Sequence, residues 1–201
     1  MPPQSDRWLS PLRYPGGKAR MASALAEIFQ SQFGLLDVEV WAEPFAGGAG
    51  AGLHLLDHGV VDEFWLTERN PALAALWRTV TGNSAELAAV VRASQPDMGT
   101  WHAARELVAA RESGADVDDI DLAFAALVIN RCSRSGMVNS RVGPIGGKSQ
   151  TGRWHLGSRW NPEGLSDRIA RIGRLGSRIR VREGVICRVP WGVSDCFCRL
   201  I

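Results

Sequence analysis

One segment constrains the fold of this chain more than any other: Val38-Glu39-Val40-Trp41-Ala42 followed at once by Glu43-Pro44-Phe45-Ala46-Gly47-Gly48-Ala49-Gly50. The first five residues read as a buried strand and the next eight as a glycine-rich turn. Ala51 to His58 then carries a helical pattern, with Gly59 as its C-terminal stop. Glu63 to Thr67 reads as a second strand, ended by Glu68-Arg69-Asn70-Pro71. A helix from Pro71 to Val80 uses proline at its first position, where a missing N–H costs nothing. Strand, glycine turn, helix, strand is the opening of a doubly wound α/β domain. Ahead of it, Tyr14-Pro15-Gly16-Gly17-Lys18 precedes a helix expected to set Met21, Leu25, Ile28 and Phe29 on one face.

Such a turn has a chemical use. Glycines after a strand let a ligand approach the backbone, and the following helix offers free N–H groups. Glu68 stands 20 residues after Gly48, at the end of the next strand, where a carboxylate can take both hydroxyls of a ribose. Glycines can also serve a tight turn sterically; the strand before them and the acid after them favour the ligand. The spacing is not that of the dinucleotide fingerprint, and no phosphate-loop lysine follows the turn, so a nicotinamide or nucleotide enzyme is a distant alternative.

The middle of the chain changes character. From Asn83 to Asn130 three helices are expected, carrying Leu87, Val90 and Val91, then Trp101, Leu107 and Val108, then Leu122, Phe124, Leu127 and Val128. Residues 131–160 are rich in Gly, Ser, Arg and Asn and read as loop with short strands. Leu165 to Leu175 returns to helix, and Ile179 to Arg182 reads as a third strand. The net charge of +2 conceals an asymmetry, because residues 130–182 hold 12 Lys/Arg against only Glu163 and Asp167. A solvated helix face is the bland explanation for basic runs, and a polyanionic partner is the better one at this density. The polar, Pro-rich start has no signal-peptide stretch and no apolar run is long enough to span a bilayer, which predicts a soluble, cytoplasmic protein. Cys132, Cys187, Cys196 and Cys198 do not form two well-spaced pairs, so neither a structural metal nor a disulfide framework is expected.

These motifs resemble, in order, those of the adenine-specific DNA methyltransferases of the Dam type, over about residues 11 to 183. Glu43 to Gly50 is similar to that family's turn for the methionine part of S-adenosylmethionine, and Leu12 to Lys18 to its N-terminal aromatic-x-Gly-Gly-Lys motif. Glu68 and Asn70 match its acid at a strand end with Asn two residues on. The resemblance implies a cofactor side of Tyr14, Lys18, Phe45, Gly47, Gly48, Gly50, Glu68 and Asn70. Asn130-Arg131-Cys132-Ser133-Arg134-Ser135-Gly136, continued by Gly143 to Lys148, Trp154 and Trp160-Asn161, resembles the segment that contacts DNA. It implies a DNA side of Asn130, Arg131, Arg134, Asn139, Arg141 and Lys148. Arg reads guanine edges, Asn reads adenine, and Lys holds phosphates. Arg134 stands where the family commonly has an aromatic residue. A polar surface loop is the bland alternative for this segment, and the ordered matches disfavour it.

The implied fold is a partial doubly wound S-adenosylmethionine-dependent methyltransferase sheet with a mainly helical DNA-recognition insertion. Residues 1–80 form the cofactor part, 81–162 the insertion, 163–184 the return to the sheet and 185–201 an atypical tail. Methylating adenine's exocyclic amine needs acceptors for that amine and a stacking partner for a flipped base. The family meets both needs with Asp-Pro-Pro-Tyr, and this sequence has no such motif. Arg188-Val189-Pro190-Trp191 lacks the acid, and Arg cannot accept a hydrogen bond. No catalytic residue is assigned, and little or no turnover is expected. From Val185 the composition shifts to Cys, Arg and Trp, which reads as a frameshift or truncation, or else as a divergent terminus. Two rivals accompany this reading: a non-catalytic DNA-binding protein, and one half of an enzyme completed by a second polypeptide.

Overall fold

The computed structural model of the protein describes residues 9–14, 21–33 and 39–184. Lys18 and the 185–201 tail lie outside the described residues, as do Val38 and the side chain of Phe29. The architecture is α/β. Strands β1 (Val40–Glu43), β2 (Glu63–Glu68) and β3 (Ile179–Glu183) form a parallel sheet in the order β1-β2-β3. Phe64 lies opposite Trp41 on one side and Ile179 on the other. As the central strand, β2 buries five of its six residues, Phe64 to Glu68, the near-continuous burial of a strand covered on both faces.

Among the described residues seven helices surround it: α1 (Ala22–Phe33), α2 (Gly50–Asp57), α3 (Pro71–Gly82), α4 (Ser84–Ala93), α5 (Met98–Glu112), α6 (Asp119–Cys132) and α7 (Pro162–Arg174). Helix α2 crosses from β1 to β2, while α3 to α7 fill the longer connection to β3. The helix starts follow from their caps. Asn70, Asp97, Asp118 and Asn161 each accept first-turn N–H groups through the side chain, and Pro71 and Pro162 occupy first helical positions. Helix α6 buries Leu122, Ala123 and every residue from Ala125 to Asn130, the pattern of a helix packed on all sides. It packs on α3, α4 and α5, and α4 packs on α7. One continuous cluster of buried apolar side chains runs from Leu12 to Ile179. No helix among the described residues is long and apolar enough to cross a membrane.

Two expectations are corrected. Helix α1 buries Ala22 and Ala26, while Met21 and Ile28 are exposed. On a helix of 3.6 residues per turn these pairs lie on opposite sides of Leu25, and the two alanines give α1 a flat face against α2. The short strands expected within 131–160 reduce to a single antiparallel bridge, Ser133 with Pro144, beside a 3-10 turn at Leu156–Arg159. Gln150 replaces the missing ladder: its amide donates to the carbonyls of Ile145 and Gly147 and accepts from the Leu156 N–H.

A two-carboxylate, two-arginine network ties the ends of the long connection together. Arg78 of α3 forks onto Asp119 at 2.7 and 2.8 Å and reaches Glu183 at 2.9 Å, and Arg111 of α5 meets Glu183 at 3.2 Å. Hydrogen bonds from Arg78 hold the Asp119 carboxyl below its ordinary pKa. A depressed folded-state pKa contributes stability above the ordinary value of about 3.9 and loses it as pH falls through the folded value. Asp119→Ala is therefore expected to lower the melting temperature at neutral pH. The loss is on the order of 1 kcal/mol after solvent screening of this half-exposed pair, about 2–4 °C at this chain length. The difference from wild type should vanish in melts well below pH 3.9; a difference that persists there would assign the effect to something other than this ion pair.

Candidate functional site

The carboxyl ends of β1 and β2 meet at the glycine turn. Gly47 has φ +47°, a left-handed conformation open to glycine, and its N–H donates to Glu68 Oε2 at 2.8 Å. Its carbonyl accepts from Trp77 Nε1 of α3 at 3.1 Å, and the Ala46 N–H donates to the Thr67 carbonyl at 3.1 Å. The turn is thus sewn to both β2 and α3. Ala49 has φ +50° with a side chain present, a strained conformation of the kind that gathers at binding sites, and it caps α2.

Tyr14 closes the site from above. A Cβ added to Gly47 would stand 2.7 Å from Tyr14 Cε1 and Cζ, and one added to Gly48 would stand 2.9 Å from Tyr14 Cβ. The ring therefore lies against the turn, and only glycine at both positions lets it approach. Burial, then the charge of Glu68, pushes the Tyr14 hydroxyl above its ordinary pKa, so it stays a neutral donor at physiological pH.

Glu68 is 7% exposed and accepts one backbone N–H on each oxygen, from Gly47 on Oε2 and from Asn70 on Oε1 at 2.9 Å. A carboxylate has about four acceptor sites, so roughly two remain for a ligand. Gly48, Gly50 and Ala51 have N–H groups with no acceptor among the described residues. Two acceptor sites on Glu68, an aromatic wall and a row of amides could hold a ligand that carries a pair of hydroxyls and a polar tail.

The structure therefore brings together Tyr14, Gly47, Gly48, Gly50 and Glu68. It places Phe45 70% exposed and gives Asn70 a structural task. Asn70 Oδ1 caps α3 through Ala72 and Leu73, and Nδ2 donates to the Val138 carbonyl at 2.6 Å. Sequence reasoning missed Glu43. It is buried at the end of β1, accepts the Gly52 N–H of α2's first turn at 2.7 Å and takes Trp41 Nε1 at 3.2 Å. An acid directly before a glycine turn that starts a helix is the signal that could have found it.

On the other side, residues 133–155 form a loop anchored at the end of α6. The N–H of Ile145 donates to the Cys132 carbonyl at 2.8 Å, and that of Arg134 to the Gly143 carbonyl at 3.2 Å. Arg134, Arg141 and Lys148 are exposed on it, and Asn139 Oδ1 accepts the Arg141 N–H. Asn130 and Arg131 are placed otherwise. Asn130 is 0% exposed; its Oδ1 accepts the Arg13 N–H at 2.8 Å, and its Nδ2 donates to the carbonyls of Arg13 and Gly136. Arg131 donates from Nε and Nη2 to the Pro11 carbonyl, and its guanidinium pKa is driven down to about 10 by burial, then by Arg168 and Arg13. Gly136, with φ +71°, completes this junction, because a Cβ there would stand 2.9 Å from the Arg13 carbonyl oxygen. These two residues hold the 10–13 segment, and through it Tyr14, against the rest of the fold.

No model of a known protein family matches this sequence, and no curated protein matches it.

Proposed function

We propose that this chain binds S-adenosylmethionine and duplex DNA as the partial doubly wound core, with its DNA-recognition insertion, of an adenine-specific DNA methyltransferase. The observation that carries the reading is the convergence of the Tyr14 ring, the Gly47–Gly48 turn and the buried Glu68 carboxylate at the carboxyl end of a parallel sheet. In this reading Glu68 takes the ribose hydroxyls, Tyr14 packs on the ligand and the turn's amides take its polar end. Lys18, outside the described residues, pairs with the carboxylate. The cofactor, when bound, supplies an electrophilic methyl group; the chain's own residues bind it, orient it and exclude water from it. Arg134, Asn139, Arg141 and Lys148 face the DNA. Asn130 and Arg131 support that surface instead of touching bases.

The test pairs equilibrium binding of S-adenosylmethionine with transfer of its labelled methyl group to unmethylated duplex. Because the sequence holds no Asp-Pro-Pro-Tyr, saturable cofactor binding without transfer is the expected result. Absence of cofactor binding by folded protein would overturn the proposal. One observation favours a variant of this reading. Among the described residues β1 pairs only with β2, which leaves its other edge open beside the glycine turn, where a doubly wound sheet reverses direction. A second polypeptide supplying a parallel strand and the missing acceptor fits that edge.

A further inference from the structure

The distribution of ion pairs separates the arginines into two populations. Arg171, Arg178 and Arg180 pair with Asp57 at the end of α2, Asp62 just before β2 and Glu63 at its start. The only acids of the basic segment, Glu163 and Asp167, are both engaged by Arg92 of α4. The segment's other cations therefore gain nothing from them. Among the described arginines that have no carboxylate partner, four are gathered in one place by the fold: Arg13, Arg131, Arg159 and Arg168.

The anchoring bonds fix that crowding. Arg168 Nη1 donates to the Ser10 carbonyl at 3.3 Å, and Arg131 to that of the next residue, Pro11. Arg159 Nη1 donates to the carbonyls of Ser133 and Arg134 at 3.4 and 3.3 Å, just past the end of α6. The backbone of Arg13 is clamped by Asn130, one residue before Arg131. Mutual repulsion follows: Arg159 lowers the pKa of Arg13 after burial does, and Arg168 and Arg13 do the same to Arg131. Backbone carbonyls offset only part of this charge. A guanidinium carries five N–H donors; among the described residues Arg159 and Arg168 each use one nitrogen and the exposed Arg13 side chain uses none.

We propose that Arg13, Arg159 and Arg168 form a cradle for a backbone phosphate of duplex DNA, with Arg131 as its buried support. This rests on the proposed DNA-binding role. A tetrahedral oxyanion matches forked guanidinium donors and relieves the repulsion among them. A nucleic-acid backbone, and not a free phosphate ion, is the fitting source because the cradle is continuous with the 133–155 loop. Arg159 is bonded to the carbonyl of Arg134 itself, so successive phosphates reach the cradle and the exposed cations of the loop together.

The test is the salt dependence of binding to a short labelled duplex by fluorescence anisotropy, using the whole chain between roughly 50 and 200 mM salt. Arg13→Gln is the leading variant because its exposed side chain makes no hydrogen bond among the described residues, so little stability is lost; Arg159→Gln is the second. Each is expected to reduce the slope of log K against log salt by about 1, weakening binding equally on unrelated sequences. Wild-type binding with unchanged slopes in both variants overturns the cradle alone. No duplex binding by wild-type protein that still binds S-adenosylmethionine overturns both the cradle and the DNA-binding role. Loss confined to one duplex sequence also overturns it, since phosphate contacts carry no sequence information.

Discussion

Glu68→Ala is expected to weaken S-adenosylmethionine binding by at least a hundredfold. In the proposed cofactor site the Glu68 carboxylate has its two oxygens each holding a backbone N–H and each retaining capacity for a hydroxyl. Hydrogen bonds to a charged group contribute about 1.5–3 kcal/mol each. Losing two costs about 3–6 kcal/mol of affinity, and every 1.4 kcal/mol is tenfold. The substitution also strips acceptors from Gly47 and Asn70, so a fall in stability is expected alongside. Calorimetric titration below the melting transition separates the two effects. If Glu68 only fastens the turn to β2, the variant melts earlier while its folded fraction binds the cofactor with wild-type affinity, and that outcome would falsify the ribose assignment. Glu68→Gln gives a finer reading: it keeps one acceptor oxygen but turns an amide N–H₂ toward a backbone donor, so it should fall between wild type and alanine in both measurements.

What was legible in the sequence divides along a physical line. Local chemistry was readable. The strand, glycine turn and helix at 40–57, the strand ending at Glu68 and the proline-started helix at 71 are each specified by neighbours a few residues away, and the structure has them at those places. Glu68 was readable as an acid facing the turn because strand ends and turns are neighbours in any parallel βαβ unit. Long-range partners were not readable. Asn70 and Asn130 look alike in sequence, polar residues beside apolar runs, yet one caps a helix while reaching Val138 and the other is buried and bonded across 117 positions to Arg13. The charge asymmetry was visible, but its division was not. Three of the twelve cations counted in 130–182 are engaged by acids of the 57–63 region, which leaves fewer for the proposed polyanion surface than the count suggested. The exposed side of α1 was misjudged for a similar reason: alanine looks neutral in a pattern of apolar residues, but two alanines are what allow α1 to lie close against α2.

Asn130→Ala is the variant with the next largest effect, and it separates two readings of one residue. As a base-reading residue, Asn130 should cost DNA discrimination and leave the fold intact, since exposed substitutions rarely move stability by more than about 0.5 kcal/mol. Its placement argues for the opposite result. The side chain is fully buried and makes all three of its bonds to backbone, two to Arg13 and one to Gly136, in the manner of a strand pairing with a single residue. Alanine leaves these groups short of partners, and a buried unsatisfied group costs about 1–3 kcal/mol. A loss of about 2–3 kcal/mol is therefore expected, which lowers the melting temperature by about 5–10 °C. Cofactor binding should weaken by about tenfold as well, because Tyr14 directly follows Arg13 and must then be ordered at the expense of binding energy. Non-specific DNA affinity and its salt slope should fall by less than in Arg13→Gln, since Arg13 loses its clamp but no cation is removed. A thermal melt, a cofactor titration and a salt series on the same preparation decide the matter. A melt unchanged from wild type with sequence discrimination lost would return Asn130 to the DNA surface; an early melt with weakened cofactor binding would establish that the basic loop and the cofactor turn are joined through the 10–14 segment.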